Sequence, residues 1–131
     1  MKKYCVSVFL LSAVLSKTNA QITAPAPYSS TIKTNFVRVW EPVKPYSDDA
    51  DVINSSRTLQ EVRQATQYFD GLGRPVQTVA RKASMITGSS PVDFVTASVY
   101  DEFGREVYKY LPFAANNTGG NSSLSDGFFK L

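Results

Sequence analysis

Hydrophobic and polar positions alternate along several short stretches of this chain, which predicts strands rather than helices. In 35–41, Asn-Phe-Val-Arg-Val-Trp-Glu, Val37 and Val39 fall on one side; Phe36, Arg38 and Trp40 fall on the other. β-Branched and aromatic residues at period two favour a strand, and Pro42 and Pro45 end it. The stretches 76–80, 94–100 and 105–111 alternate in the same way. The stretch 58–69 has two readings. Thr58 and Glu61 have capping-box spacing for a helix, whereas Val62, Gln64, Thr66 and Tyr68 would share one face of a strand. A strand from about Val62 is favoured, because a hairpin turn follows it. Between the strands, 81–93 reads as a connection through Gly88, Ser89, Ser90 and Pro91, and 116–125 as a flexible Asn/Gly/Ser loop. The closing residues Asp126-Gly127-Phe128-Phe129-Lys130-Leu131 resemble the opening of a further strand.

Two segments repeat. Tyr68-Phe69-Asp70-Gly71-Leu72-Gly73-Arg74-Pro75-Val76 aligns with Val99-Tyr100-Asp101-Glu102-Phe103-Gly104-Arg105-Glu106-Val107, with Asp, Gly, Arg and Val identical at matching offsets. The spacing has a physical reason. Asp suits the first position of a type I turn, where its carboxylate accepts a backbone N–H; Gly suits the fourth, where positive φ is often needed. With alternating residues on both sides, each unit is expected to be a β-hairpin. Leu72 and Phe103 at the bends can fold back over a neighbour. Arg74 and Arg105 are expected to reach an aspartate, their own or the adjacent hairpin's, and to set register. The competing reading is two unrelated hairpins that share a common bend. One hairpin cannot bury its apolar face alone, so the chain is expected to be the front end of something longer or to need a partner.

Residues 1–20 have the three parts of a secretory signal. Met1-Lys2-Lys3-Tyr4 is basic, the next eleven residues are largely apolar, and Thr18 and Ala20 are small at the cleavage end. Eleven residues are too few for a comfortable membrane span. Cleavage near Ala20 would leave 111 residues, exported and either secreted or held at the cell surface, with no membrane span. Residues 21–34, with Pro25, Pro27, Ser29 and Ser30, read as an extended linker. A β-domain is expected over 35–115. The loop over 116–131 then leads toward the next strand, as if the chain were truncated.

Composition narrows the function. Fourteen basic residues face eleven acidic ones, but Lys2, Lys3 and Lys17 lie in the signal, so the mature chain balances eleven against eleven. No basic excess supports a nucleic-acid face. Histidine is absent and the only cysteine, Cys5, lies in the signal. A mature chain with neither has no Ser-His-Asp triad, no Cys-His pair, no usual zinc site and no disulfide. Asp48-Asp49-Ala50-Asp51 is acidic enough for calcium but lacks the glycine turn and distal Glu of a calcium loop, so a solvated loop is expected. No cofactor, metal or catalytic residue is expected.

At its two repeats the sequence resembles the RHS/YD-repeat family, whose signature is Tyr-Asp-x-x-Gly-Arg. Tyr100-Asp101-Glu102-Phe103-Gly104-Arg105 matches in full, and Phe69-Asp70-Gly71-Leu72-Gly73-Arg74 differs only by Phe for Tyr. The stretch from Asn35 to Phe113, ending in Tyr110-Leu111-Pro112-Phe113, is similar to the N-terminal domain of exported bacterial RHS-like proteins. The 31-residue offset is longer than the family's usual repeat. The resemblance implies an all-β fold of antiparallel hairpins in an RHS/YD-type sheet, after a signal helix and linker. It also implies a partner, namely the remaining repeats and core of a longer or separate RHS-like protein that encloses a toxin or acts at the cell surface.

The leading expectation is therefore a non-catalytic exported structural module. The turn residues Tyr68, Phe69, Asp70, Gly73, Arg74, Tyr100, Asp101, Gly104 and Arg105 would be its structural motif. The alternative is a carbohydrate-binding or adhesion module, with Trp40, Tyr46, Tyr108 and Tyr110 stacked on sugar rings of surface glycans. An enzyme would have to work through carboxylates such as Asp70 and Asp101, as glycosidases do, yet the bends already explain both.

Overall fold

The computed structural model describes residues 25–29, 31–84, 90–115 and 124–131. The expected signal, part of the linker and most of the Asn/Gly/Ser loop lie outside the described residues. Among the described residues, six strands form one antiparallel sheet: β1 (Asn35–Pro42), β2 (Val62–Phe69), β3 (Pro75–Ala80), β4 (Phe94–Tyr100), β5 (Glu106–Lys109) and β6 (Phe113–Ala114). The order is β1-β2-β3-β4-β5, and β6 joins the same margin of β4 beyond β5. The expected all-β antiparallel class is the one found.

Register explains the alternation. Phe36 pairs with Tyr68, Tyr68 with Gln77 and Gln77 with Ala97; Arg38 pairs with Thr66, Thr66 with Val79 and Val79 with Val95. These residues share one face, and Thr66, Tyr68, Gln77, Val79 and Val95 on it are buried. On the other face stand Val37, Val39, Ala65, Gln67, Thr78, Ala80, Phe94 and Thr96, with Val37, Val39 and Phe94 exposed. The core gathers Tyr68, Val76, Val79, Val95, Ala115 and Phe129.

The buried face is covered by 124–131, a strap that pairs with no strand among the described residues. The sequence reads as the start of another strand here. Gly127, at φ +81°, instead turns the chain over the sheet. Phe129 then packs edge-on against Tyr68 at 5.2 Å between ring centres. Tyr28, in the expected linker, packs edge-on against Phe129 at 5.0 Å. That segment therefore packs a side chain against the core. The strap is held polar atom by polar atom. The Gln77 side-chain amide donates to the Lys130 carbonyl at 2.9 Å and accepts from the Lys130 N–H at 2.6 Å, in place of a missing strand neighbour. Tyr68 Oη donates to the Gly127 carbonyl at 3.0 Å.

The acidic segment differs from its expected loop. Asp49–Val52 is one helical turn, α1. Asp48 caps it by accepting the Ala50 N–H at 2.9 Å, and Asp49 and Asp51 sit where the positive helix end favours them. Arg57 ties the turn down, with Asp51 at 3.5 Å, Glu61 at 3.3 Å and the Tyr46 ring 5.0 Å from the guanidinium. The Thr58–Glu61 box forms as well: Glu61 Oε2 accepts the Thr58 N–H at 2.9 Å. No helix follows, because β2 starts at Val62 and its hydrogen bonds to β1 and β3 take the backbone.

Candidate functional site

The two repeated segments fold identically, bond for bond. In the first, the Gly73 N–H donates to the Asp70 carbonyl at 3.1 Å and the Asp70 N–H to the Arg74 carbonyl at 3.0 Å. In the second, Gly104 donates to Asp101 at 2.9 Å and Asp101 to Arg105 at 2.9 Å. Both glycines have positive φ, +78° and +80°. In both, the register shifts by one residue at the strand end, between Tyr68 and Phe69 and between Val99 and Tyr100. This is a three-residue hairpin connection: a type I turn followed by a left-handed glycine that forms a bulge.

Each aspartate builds its own bend. Asp70 Oδ1 accepts from the N–H groups of Leu72 and Arg74, both at 2.9 Å, and Oδ2 accepts from Arg74 Nε at 2.7 Å. Asp101 Oδ1 accepts from Phe103 at 3.0 Å and Arg105 at 2.8 Å, and Oδ2 accepts from Arg105 Nε at 2.7 Å. The backbone N–H of the following arginine holds each carboxyl below the usual Asp range, against a smaller opposing effect of desolvation. A carboxylate committed on both oxygens and kept ionised is poorly suited to act as a general acid. The matching valines differ in burial: Val76 on β3 is in the core, and Val107 on β5 is exposed.

The arginines differ in their surroundings. β3 and β4 are antiparallel neighbours, so the two bends lie side by side at one end of the sheet. Arg74 therefore reaches past its own aspartate to the second hairpin. Its guanidinium lies 4.5 Å from the centre of the Tyr100 ring, and a Cβ placed on Gly104 would stand 2.7 Å from Arg74 Nη1. Tyr100 Oη in turn donates to the Pro75 carbonyl at 3.2 Å. The Arg105 side chain is 73% exposed, against 28% for Arg74, and lies over Phe103 of its own bend at 5.3 Å. Both arginines take their own aspartate, the first of the two partners the spacing allowed. Leu72 and Phe103 do not fold back over a neighbour. They are 79% and 76% exposed, because the third position of the turn aims its side chain away from the sheet.

Phe69, the counterpart of Tyr100, pairs with Asn35 of β1. Tyr68 belongs to the core and to the strap rather than to the bend. The four aromatic residues considered for sugar stacking are not gathered into one platform. Trp40 is on β1 and Tyr108 on β5, at opposite margins of the sheet. Tyr46 has two cations near its ring centre, Lys44 at 5.5 Å and Arg57 at 5.0 Å.

A second constellation has no local sequence signal. Asp93 is 1% exposed. Its carboxylate accepts from the Lys82 N–H at 2.9 Å, the Gly127 N–H at 2.6 Å and Lys130 Nζ at 3.0 Å. Lys130 is 4% exposed, so this is a buried ion pair that carries its own hydrogen bonds. Arg38 ties the opposite margin of the sheet to the same strap. It donates to Thr66 Oγ1 at 2.8 Å and to the Gly127 carbonyl at 3.5 Å, with its guanidinium 5.3 Å from the Phe128 ring centre. Among the described residues, no group of His, Cys, Asp and Glu could hold a metal ion, and no helix is long and apolar enough to cross a membrane.

A family profile for a domain of unknown function, DUF6443, matches residues 40–129. Comparison with curated proteins and with solved structures finds no match. The matched residues take in both bends, Asp93 and the strap through Phe129, which is most of the chain, and the protein belongs to the DUF6443 family.

Proposed function

We propose that this chain is a non-catalytic, exported structural module, the N-terminal part of an RHS/YD-type β-sheet. Its partners are the further repeats and core of such a protein, of the toxin-delivering or cell-surface kind. The observation that carries this reading is the identity of the two bends. An Asp-x-x-Gly-Arg segment used twice, with the same bonds and the same one-residue bulge, is the mark of a unit built to be repeated. The carboxylates that an enzyme reading would use are consumed in holding those bends. The export pattern of residues 1–20 and the resemblance to exported RHS-like proteins support the location.

Two measurements on the native product test this. Mass spectrometry should find these residues in a polypeptide far heavier than 14.4 kDa, beginning near Gln21. A released product of about 111 residues that folds as a monomer would count against the module. Substitution of Asp70→Asn and Asp101→Asn addresses catalysis. If it abolished a measured hydrolysis while the circular dichroism spectrum stayed intact, an enzyme would be the better reading.

A further inference from the structure

β1 is an outermost strand of the sheet, and among the described residues no strand pairs with its other side. Its backbone hydrogen-bonding groups divide by position. The Val43 N–H donates to the Glu61 carbonyl at 3.0 Å, toward the β2 side. By antiparallel alternation Val37, Val39 and Glu41 also turn their backbone groups to β2, and Phe36, Arg38 and Trp40 turn theirs outward. Pro42, which has no N–H, takes the last outward position. The devices that usually guard such an edge are missing from its middle. It holds no lysine, and no bulge interrupts its pairing with β2. Its one cation is drawn over the covered face: Arg38 donates to Thr66 Oγ1, with its guanidinium 5.2 Å from the Phe36 ring centre and 6.0 Å from that of Trp40. Phe36, Val37, Val39 and, on the strap beside Arg38, Phe128 all stand exposed at this margin.

We propose that the free edge of β1 is the docking surface for β1 of a second copy of this chain, paired antiparallel about a two-fold axis at Val39. The strand is complementary to itself about that residue. Arg38 stands opposite Trp40 of the second copy, both with outward backbone groups, so the two exchange a pair of hydrogen bonds. Phe36 gives its N–H to the carbonyl of the second copy's Pro42, where the ladder ends. On the covered face each Arg38 gains an aromatic neighbour across the strands. On the open face Val39 meets its own copy, and Val37 meets Glu41. The neighbouring registers are poorer. An axis at Arg38 sets two like charges directly opposite. An axis at Trp40 sets Arg38 against Pro42, which has no N–H to return. An axis at Val37 overlaps only residues 35–39 of the strand, against 36–42 for Val39. The inference does not rest on the structural-module reading, since a long native chain and a short one present the same edge.

The test uses the chain with residues 1–20 removed, which leaves no cysteine, so a single introduced thiol reports its own neighbours. Sedimentation equilibrium should show a concentration-dependent dimer. Val39→Lys, on the open face, sets two ammonium groups together on the axis and should weaken that dimer at least about tenfold. Circular dichroism of each variant confirms that the sheet persists. Val39→Cys, treated with oxidised glutathione, should give a disulfide-linked dimer on non-reducing electrophoresis, because the axis residue of a non-hydrogen-bonded pair lies about 4.5 Å from its copy between Cα atoms. Val37→Cys alone should not link, since about four residues of strand separate it from its own copy, roughly 13 Å. A mixture of Val37→Cys with Glu41→Cys should link. Leu72→Cys, exposed at a bend, gives the level of random collision. A chain that stays monomeric through about 100 μM overturns the proposal. So does a dimer that Val39→Lys leaves intact, or one in which Val39→Cys links no better than Val37→Cys or Leu72→Cys.

Discussion

At the scale of single residues, the two bends are matched sites with one difference, and that difference can be measured. Gly73 and Gly104 have the same positive φ, so alanine at either costs about 1 kcal/mol in backbone strain. Gly73 has nothing within 4 Å of a built Cβ, whereas Gly104 meets Arg74 Nη1 at 2.7 Å. Gly104→Ala should therefore push Arg74 off Tyr100 and cost about 0.5–1 kcal/mol more than Gly73→Ala in urea unfolding. In an Arg74→Ala background that excess should vanish; an excess that persisted would rule out the contact as its cause. The carboxylates set the acid limit. Asp70 and Asp101 are held below the ordinary value mainly by the backbone N–H of the following arginine, and Glu61 mainly by that of Thr58. A lowered folded pKa means that the unfolded chain takes up protons first as pH falls. Stability should be level above about pH 5 and fall from about pH 4 downward. Asp70→Asn with Asp101→Asn should give a less stable protein with a flatter acid profile. An unchanged profile would show that the bends do not hold their carboxylates ionised.

At the scale of elements, local signals and distant ones divide cleanly. The hairpins β2–β3 and β4–β5 are legible because Asp, Gly and Arg within five residues specify a bend by themselves, and alternation on either side specifies the strands. The start of β2 at Val62 is legible only with the bend in view, since the Thr58–Glu61 box alone favours a helix. The one-turn helix α1 has its signal in Asp48, a capping residue before two acids, but the same acidic run equally suits a solvated loop. The strap was not legible. Asp93 lies 34 residues from Gly127, and Gln77 lies 53 from Lys130, and nothing in the local pattern of either segment names the other. An apolar tail reads as a strand unless the partners of its backbone are known. The strap gives the sharpest prediction at this scale. Asp93→Ala leaves Lys130 charged and buried, and should cost about 3–5 kcal/mol. Asp93→Ala with Lys130→Met should recover a large part of that in thermal unfolding, because the lone charge goes too. Failure of the second change to rescue the first would show that the N–H groups of Lys82 and Gly127, rather than the ammonium, are what the carboxylate serves.

At the scale of the whole molecule, the sheet has one covered face and two margins of different character. The covered face depends on residues far apart in the chain: Tyr28 near its start, Tyr68, Val79 and Val95 in the middle, Phe129 near the end. Phe129→Ala should therefore cost about 3 kcal/mol and raise binding of a hydrophobic dye across the whole sheet, not at one end of it. An unchanged dye signal would mean that the strap is not what covers the core. The turn side carries Leu72 and Phe103 outward, and β1 carries Val37 and Val39 on its open face, so these apolar groups remain exposed. The sealed carboxylate of Asp93 has a kinetic consequence. Two of its three donors are backbone amides from opposite sides of the core, Lys82 at the sheet and Gly127 on the strap. Neither amide can meet water without stranding a charge, so a latch of this kind does not peel open by degrees. In deuterium oxide both amides should trade their protons at one shared, slow rate, set by release of the entire fold rather than by fraying of its tail.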